Sequence, residues 1–256
     1  MIRAVLLDLA GVVYQGVQPL PGAAQSVAGL RSAGLRLLFL TNTTRMPRRA
    51  LLRHLHDMGV AIADEELFTP AQAARAWLAT KRLSPHLLIH PDLEEDFANL
   101  DASVGEAVVV GDAAQGFTYN ALNAAFRKLL GGAEFLALAR NRSFKDDDGE
   151  LSLDAGAFVA ALEYACQREA VLVGKPAPDF FRGALASAAC DGKEVVMVGD
   201  DAEADVAGAL AAGIGSALLV RTGKYRPGDE NKVHPAPSDT VEDLAAAARW
   251  IMEHLG

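Results

Sequence analysis

The chain has 256 residues, between one and two domains at about 150 residues each, and its 51% hydrophobic and 22% charged residues are ordinary for a globular protein with a sizeable core. Its 24 basic and 33 acidic residues give a net charge of −9, which excludes the clustered basic surface of a nucleic-acid binder and leaves room only for a local anion pocket. Cys166 and Cys190 have no metal-ligand spacing, which excludes a disulfide scaffold and reads as two buried small residues in a reducing, cytoplasmic setting.

In chain order, strand-length apolar runs alternate with helix-period segments, the pattern of a parallel sheet covered by helices. Residues 1–7 are too short for a signal-peptide apolar region and run straight into Asp8. Strands are expected at 3–9 and 35–41, with helices at 21–33, ended by Gly34, at 47–58, followed by Gly59, and at 70–81. From about Ser84, strands at 86–90, 107–111 and 134–139 alternate with helices near Leu93 and over 118–130, in what reads as a second, smaller α/β unit. The Asp/Gly-rich stretch 145–150 reads as a hairpin or tight loop. Strands at 170–174, 194–199 and 216–220 then resume, with helices at 178–189, 201–212 and 240–255. The apolar stretch 206–220 is broken by glycines and falls short of the roughly 18–20 residues of a membrane span, so no membrane partner is expected.

Ligands of open α/β sheets bind at the carboxyl ends of the strands, and here those ends carry polar groups and glycines. The first strand ends in Asp8-LAGVVY, the second in Thr41-NTT and a later one in Gly199-DDAEAD, while Gly174-KP follows the strand before it. Phosphoryl transfer assisted by magnesium needs this set. A carboxylate can attack phosphorus once a cation offsets the repulsion between two anions, and Asp8 stands where it could do so. Magnesium is a hard ion that takes oxygen ligands, for which Asp8 and Asp200 are the candidate carboxylates. Thr41, the Asn42 amide and Lys175 are suited to meet charge on the other phosphoryl oxygens.

The ordered set Asp8-LAGVVY, Leu40-TNTT, Gly174-KP and Val198-GDDAEAD resembles the four motifs of the haloacid dehalogenase-like phosphatase superfamily, each after an expected strand. The likeness is greatest to the group with a large α/β cap inserted between the second and third motifs, and it extends over nearly the whole chain. What the resemblance implies is a doubly wound, Rossmann-like parallel-sheet core of residues 1–82 and 171–256 with an α/β cap at 83–170. It implies Asp8 as nucleophile and metal ligand, the Ala10 carbonyl and Asp200 as further magnesium ligands, and Asp205 holding metal-bound water. Thr41 and Asn42 would bind the phosphoryl oxygens, and Lys175 would pair with both the phosphoryl group and Asp8. The cap would open and close over the chemistry, and because related capped phosphatases often pair through it, a homodimer is the assembly to test.

One position departs from the pattern. Most phosphatases of this superfamily have a second Asp two residues after the nucleophile as general acid and base, and here it is Ala10. Its carbonyl can still reach a metal, but its side chain cannot shuttle a proton, a contribution of about 10²–10⁴-fold. Three outcomes stay open: a substrate whose leaving group needs little help, such as pyrophosphate, an acyl phosphate or a phosphoramidate; transfer of the proton work to Asp201, Asp205 or the substrate; or a phosphate-binding protein with little turnover. Asp201 is expected to cap the following helix or to orient Lys175. In the inserted segment Asn141, Arg142 and Phe144 are candidate specificity residues, with an ordinary loop as the alternative. The six histidines lack metal spacing, and Asp146, Asp147 and Asp148 read as a solvated turn.

Overall fold

The computed structural model describes residues 1–100, 104–145 and 150–255. Strand β1 (Ala4–Asp8) leads into a short hairpin, β2 (Tyr14–Gln15) with β3 (Gln18–Pro19), then α1 (Ala23–Ser32) and β4 (Arg36–Leu40). Next come α2 (Arg48–Asp57), β5 (Leu67–Phe68), α3 (Pro70–Lys81) and β6 (Leu83–Leu88). A 3-10 stretch at Pro91–Phe97 precedes β7 (Gly105–Val110), α4 (Tyr119–Leu130), β8 (Glu134–Ala137), the paired β9 (Ser143–Lys145) and β10 (Leu151–Leu153), α5 (Ala155–Cys166) and β11 (Val171–Leu172). Then follow α6 (Pro178–Ala188), β12 (Val195–Gly199), a π-helical turn at Ala202–Ala207 running into α7 (Gly208–Ala211), β13 (Ser216–Val220), β14 (Asp239–Val241) and α8 (Leu244–Glu253). No helix among the described residues is long and apolar enough to cross a membrane.

The chain forms two compact units, one of residues 1–41, 51–68 and 175–256, the other of 42–50 and 69–174. The first holds a six-stranded parallel sheet in the order β14-β13-β12-β1-β4-β5. Every residue of β1 and β12 is buried, as continuous apolar strands covered on both faces must be. From β1 the chain steps outward to β4 and β5, whereas from β12 it steps the opposite way to β13 and β14. Right-handed crossovers taken in opposite directions put their helices on opposite faces, which is the doubly wound arrangement expected from the sequence.

The second unit is a four-stranded parallel sheet, β11-β8-β7-β6, with a core on each face. Strand alternation sorts the side chains: Val108, Val110, Phe135 and Ala137 pack with Ala125 and Leu129 of α4 and Val159 and Leu162 of α5. Ala107, Val109 and Leu136 turn the other way, onto Ala71, Ala74 and Leu78 of α3. This packing moves the expected boundary near residue 82, because α3 needs its small-residue face buried and finds the second sheet. Its start is well marked, with the Thr69 hydroxyl accepting from the Gln72 N–H at 3.2 Å, the Gln72 side chain accepting from the Thr69 N–H at 2.9 Å, and Pro70 opening the helix.

Other expectations need adjustment. The segment expected as a helix from 240 begins as edge strand β14, and the helix starts only after Asp243, whose side chain accepts from the Ala246 N–H at 2.8 Å. Strands β9 and β10 pair antiparallel, and Asp146, Asp147 and Asp148, expected as a solvated turn, lie outside the described residues. Cys166 is buried as expected, but Cys190 is only half-buried.

Candidate active site

Opposite stepping from β1 and β12 creates a switch point between these two neighbours, and the crevice beyond their carboxyl ends is where such sheets hold ligands. The register sets Leu7 beside Val198 and Asp8 beside Leu40, so Asp8 ends its strand level with the end of β12, just before Asp200. Both carboxylates are buried, at 6% and 3% exposure. Asp205 reaches the same place from the π-helical turn, because Gly199 leaves room: a Cβ there would lie 2.2 Å from the Asp205 Cβ. That turn starts on Asp201, whose carboxylate accepts from the N–H groups of Glu203 at 3.1 Å and Ala204 at 2.9 Å. Lys175 opens the last segment of the first unit and is buried, with its Nζ bonded to Asp8 Oδ1 and 2.6 Å from Asp205 Oδ1.

Charge is crowded here. Burial pushes the Asp200 carboxyl above the usual carboxylate range, and the charges of Asp8 and Asp205 push it further, with the N–H of Lys224 pulling back only in part. Burial likewise raises Asp205, against the downward pull of Lys175. For Lys175 burial alone would favour the neutral amine, but Asp205 and Asp8 outweigh it and hold the ammonium. Tyr14, in the hairpin after β1, is pushed up to about 12, first by burial and then by Asp8, so its hydroxyl keeps its proton at neutral pH.

Asp8, Asp200 and Asp205 each offer a carboxylate oxygen, all within 4.8 Å of one another. With all three carboxylates ionised, the form a metal takes, the single buried ammonium leaves two negative charges in excess, which one divalent cation would balance. An all-oxygen donor set suits a hard ion such as magnesium, so these residues fit the metal that the sequence implied. Removing the ammonium should be costly. Lys175→Met is expected to destabilise the metal-free protein by roughly 3–5 kcal/mol in urea unfolding, the usual cost of leaving buried charges without their partner. An unchanged midpoint would mean that the cluster sheds its charge at little cost.

Of the residues singled out from the sequence, Asp8, Lys175, Asp200 and Asp205 are thus brought together. Thr41 is buried directly after β4, the neighbour of β1. Ala10 is exposed and forms an isolated bridge with Tyr14. Asn42 belongs to the second unit, where a Cβ on Gly174 would lie 2.9 Å from its Oδ1. Asn141 and Arg142 also lie in the second unit, between β8 and β9, with carbonyls accepting from Gly156 at 3.0 Å and Asp154 at 3.2 Å. Asp201 does cap the turn, but the lysine it pairs with is Lys224, at 3.3 Å, and Lys175 is held by Asp205 instead.

Sequence reading missed two features. Asp112 is buried at the end of β7, accepts from the Ala114 N–H at 2.8 Å and pairs with Arg45, whose guanidinium lies 4.1 Å over the Phe144 ring. Its signal, an apolar strand followed by Gly-Asp, is the one that marked Asp200. The second is the contact of loop 222–224 with Asp200, made by a backbone N–H.

A model described as haloacid dehalogenase-like hydrolase matches residues 5–103, and one described as HAD-hydrolase-like matches 172–247. Haloacid dehalogenase-like hydrolase domain-containing protein 2 from Bos taurus is 41% identical over 254 residues, covering 99% of this chain and 97% of its own. Phospholysine phosphohistidine inorganic pyrophosphate phosphatase from Rattus norvegicus is 39% identical over 260 residues, covering 99% of this chain and 96% of its own. Among solved structures, a glycerol phosphate phosphatase from Mycobacterium tuberculosis in complex with magnesium superposes with a TM-score of 0.85 at 28% identity, over 96% of this chain and 76% of that one.

Proposed function

The chain belongs to the haloacid dehalogenase-like hydrolases, and from that premise we propose that it is a magnesium-dependent phosphatase that works through a phospho-aspartate on Asp8. The observation that carries this reading is the buried cluster of Asp8, Asp200, Asp205 and Lys175 at the switch point of the sheet. Its substrates are small molecules with a phosphoryl group on a leaving group that departs without a proton donor: pyrophosphate, phosphoramidates and aryl phosphates. Ala10 supports that choice, as does the name of the rat relative. A cytoplasmic location goes with it, which the two free cysteines suit.

In the first step an Asp8 oxygen attacks phosphorus, the bond to the leaving group breaks and the leaving group departs with its electron pair. Lys175 fixes the rotation of Asp8 through Oδ1, and Asp205 fixes Lys175. The Thr41 hydroxyl donates to the phosphoryl oxygens as their charge grows. In the second step water attacks phosphorus, the bond to Asp8 breaks, and inorganic phosphate leaves the restored carboxylate. Asp8, Asp200, Asp205 and the Ala10 carbonyl would hold magnesium, which when bound supplies the charge that lets one anion approach another. Phosphate release from pyrophosphate, phospholysine, phosphohistidine and 4-nitrophenyl phosphate, with and without magnesium, tests the reading. Magnesium-dependent release is expected from at least one, and silence across the panel under saturating magnesium would contradict it.

The raised carboxyls give the site a pH signature. Asp200 and Asp205 keep protons in the folded chain at pH values where unfolded carboxyls, with pKa of about 4, have lost them. Stability from this source is therefore full below about pH 4 and lost as the pH rises through the raised values. Magnesium takes the ionised forms, so its binding releases protons and tightens with pH. Its upward shift of Tm is expected to be larger at about pH 8 than at about pH 5. Equal shifts at both would place the metal away from these carboxylates.

A further inference from the structure

The Asp200 carboxylate is held by more than its own strand. Oδ2 accepts the Lys224 N–H at 2.7 Å. A Cβ on Gly11 or on Gly223 would fall 2.0 Å from that same oxygen, and 2.9 or 2.6 Å from the Cα of the other glycine. Oδ2 is thus wedged between two bare backbone positions, both at positive φ, +90° at Gly11 and +64° at Gly223, where side chains are doubly unwelcome. Thr222 closes the wall by donating its hydroxyl to the Gly11 carbonyl, next to Ala10, while Lys224 Nζ holds Asp201 at 3.3 Å, the cap of the turn carrying Asp205. One short segment therefore touches the surroundings of Ala10, Asp200 and Asp205 together.

We propose that residues 222–224 are a positioning strap that commits Asp200 Oδ2 to the protein, leaves Oδ1 as the single oxygen for a cation, and so makes the site prefer magnesium to calcium. Calcium takes six to eight oxygens and gains from two-oxygen carboxylates, whereas magnesium accepts single oxygens in a tight octahedron and keeps its waters. This rests on the reading of Asp200 as a metal ligand.

Calorimetric titration of the full chain with magnesium alone and calcium alone tests it. The wild type is expected to bind magnesium at least about 10-fold tighter than calcium, and Gly223→Ala, whose new methyl must displace the carboxylate, to lose about 10–100-fold in magnesium affinity with a smaller loss for calcium. Thr222→Val should shift the ratio in the same direction, Thr222→Ser should keep it, and this pair carries the test if the glycine variant does not fold. Wild-type preference for magnesium with an unchanged ratio in folded Gly223→Ala and Thr222→Val overturns the strap alone. Calcium bound as tightly as magnesium by the wild type also overturns it, and no magnesium binding at all removes the metal reading and the strap with it.

Discussion

Asp8→Asn is expected to lower turnover at least about 10⁴-fold on every substrate of the panel, the scale of loss when a covalent nucleophile is removed. The substitution keeps the volume at the end of β1, where all five residues are buried, and so keeps the packing. It removes the anionic oxygen proposed to attack phosphorus, and it takes one charge from a cluster that is already crowded. Because an amide still accepts from Lys175, the variant should unfold at a Tm no lower than the wild type in the absence of metal. The pairing of lost turnover with retained stability is the informative result. Residual activity within about 10-fold of wild type would mean that water attacks the substrate directly and that Asp8 only holds metal.

Ala10→Asp should act in the opposite sense. General acid–base catalysis is worth about 10²–10⁴-fold where a leaving group needs a proton, and the wild type has no side chain for that work at this position. Alkyl phosphate monoesters, whose alkoxide leaving groups need protonation, should gain roughly 10²-fold in kcat/KM. An aryl phosphate, whose phenolate departs unaided, should change by less than about 10-fold. Position 10 is exposed, so the added carboxylate carries little burial cost. No gain on alkyl phosphates would show that another group already moves the proton or that such substrates are rejected before chemistry.

The core strands were legible because continuous apolar runs such as 4–7 and 195–198 have one simple home, a sheet covered on both faces. The positions after them were legible for a related reason: Asp8 and Asp200 each interrupt an apolar run with a charge that burial would penalise without a function. Short edge strands were not, since two residues at Leu67–Phe68 and three at Asp239–Val241 carry too little pattern. Helix α3 shows how periodicity marks a buried face without saying what buries it; Ala71, Ala74 and Leu78 announce a helix and leave its sheet open. The segment expected as one helix over 201–212 instead opens with a π-helical turn, the one that carries Asp205 toward Lys175. The strap proposed at 222–224 would act through a backbone N–H and the bare position at Gly223, and although the glycine is visible in the sequence, its approach to Asp200 is not.

The most direct measurement is rapid acid quenching of the wild-type protein during turnover of 4-nitrophenyl phosphate with magnesium, followed by mass spectrometry of its peptides. A phosphoryl group on the peptide containing Asp8, absent without magnesium and absent in Asp8→Asn, is the expected result. Steady phosphate release with no phosphorylated peptide, or with the phosphoryl group on another residue, would contradict the assignment of Asp8 as the nucleophile.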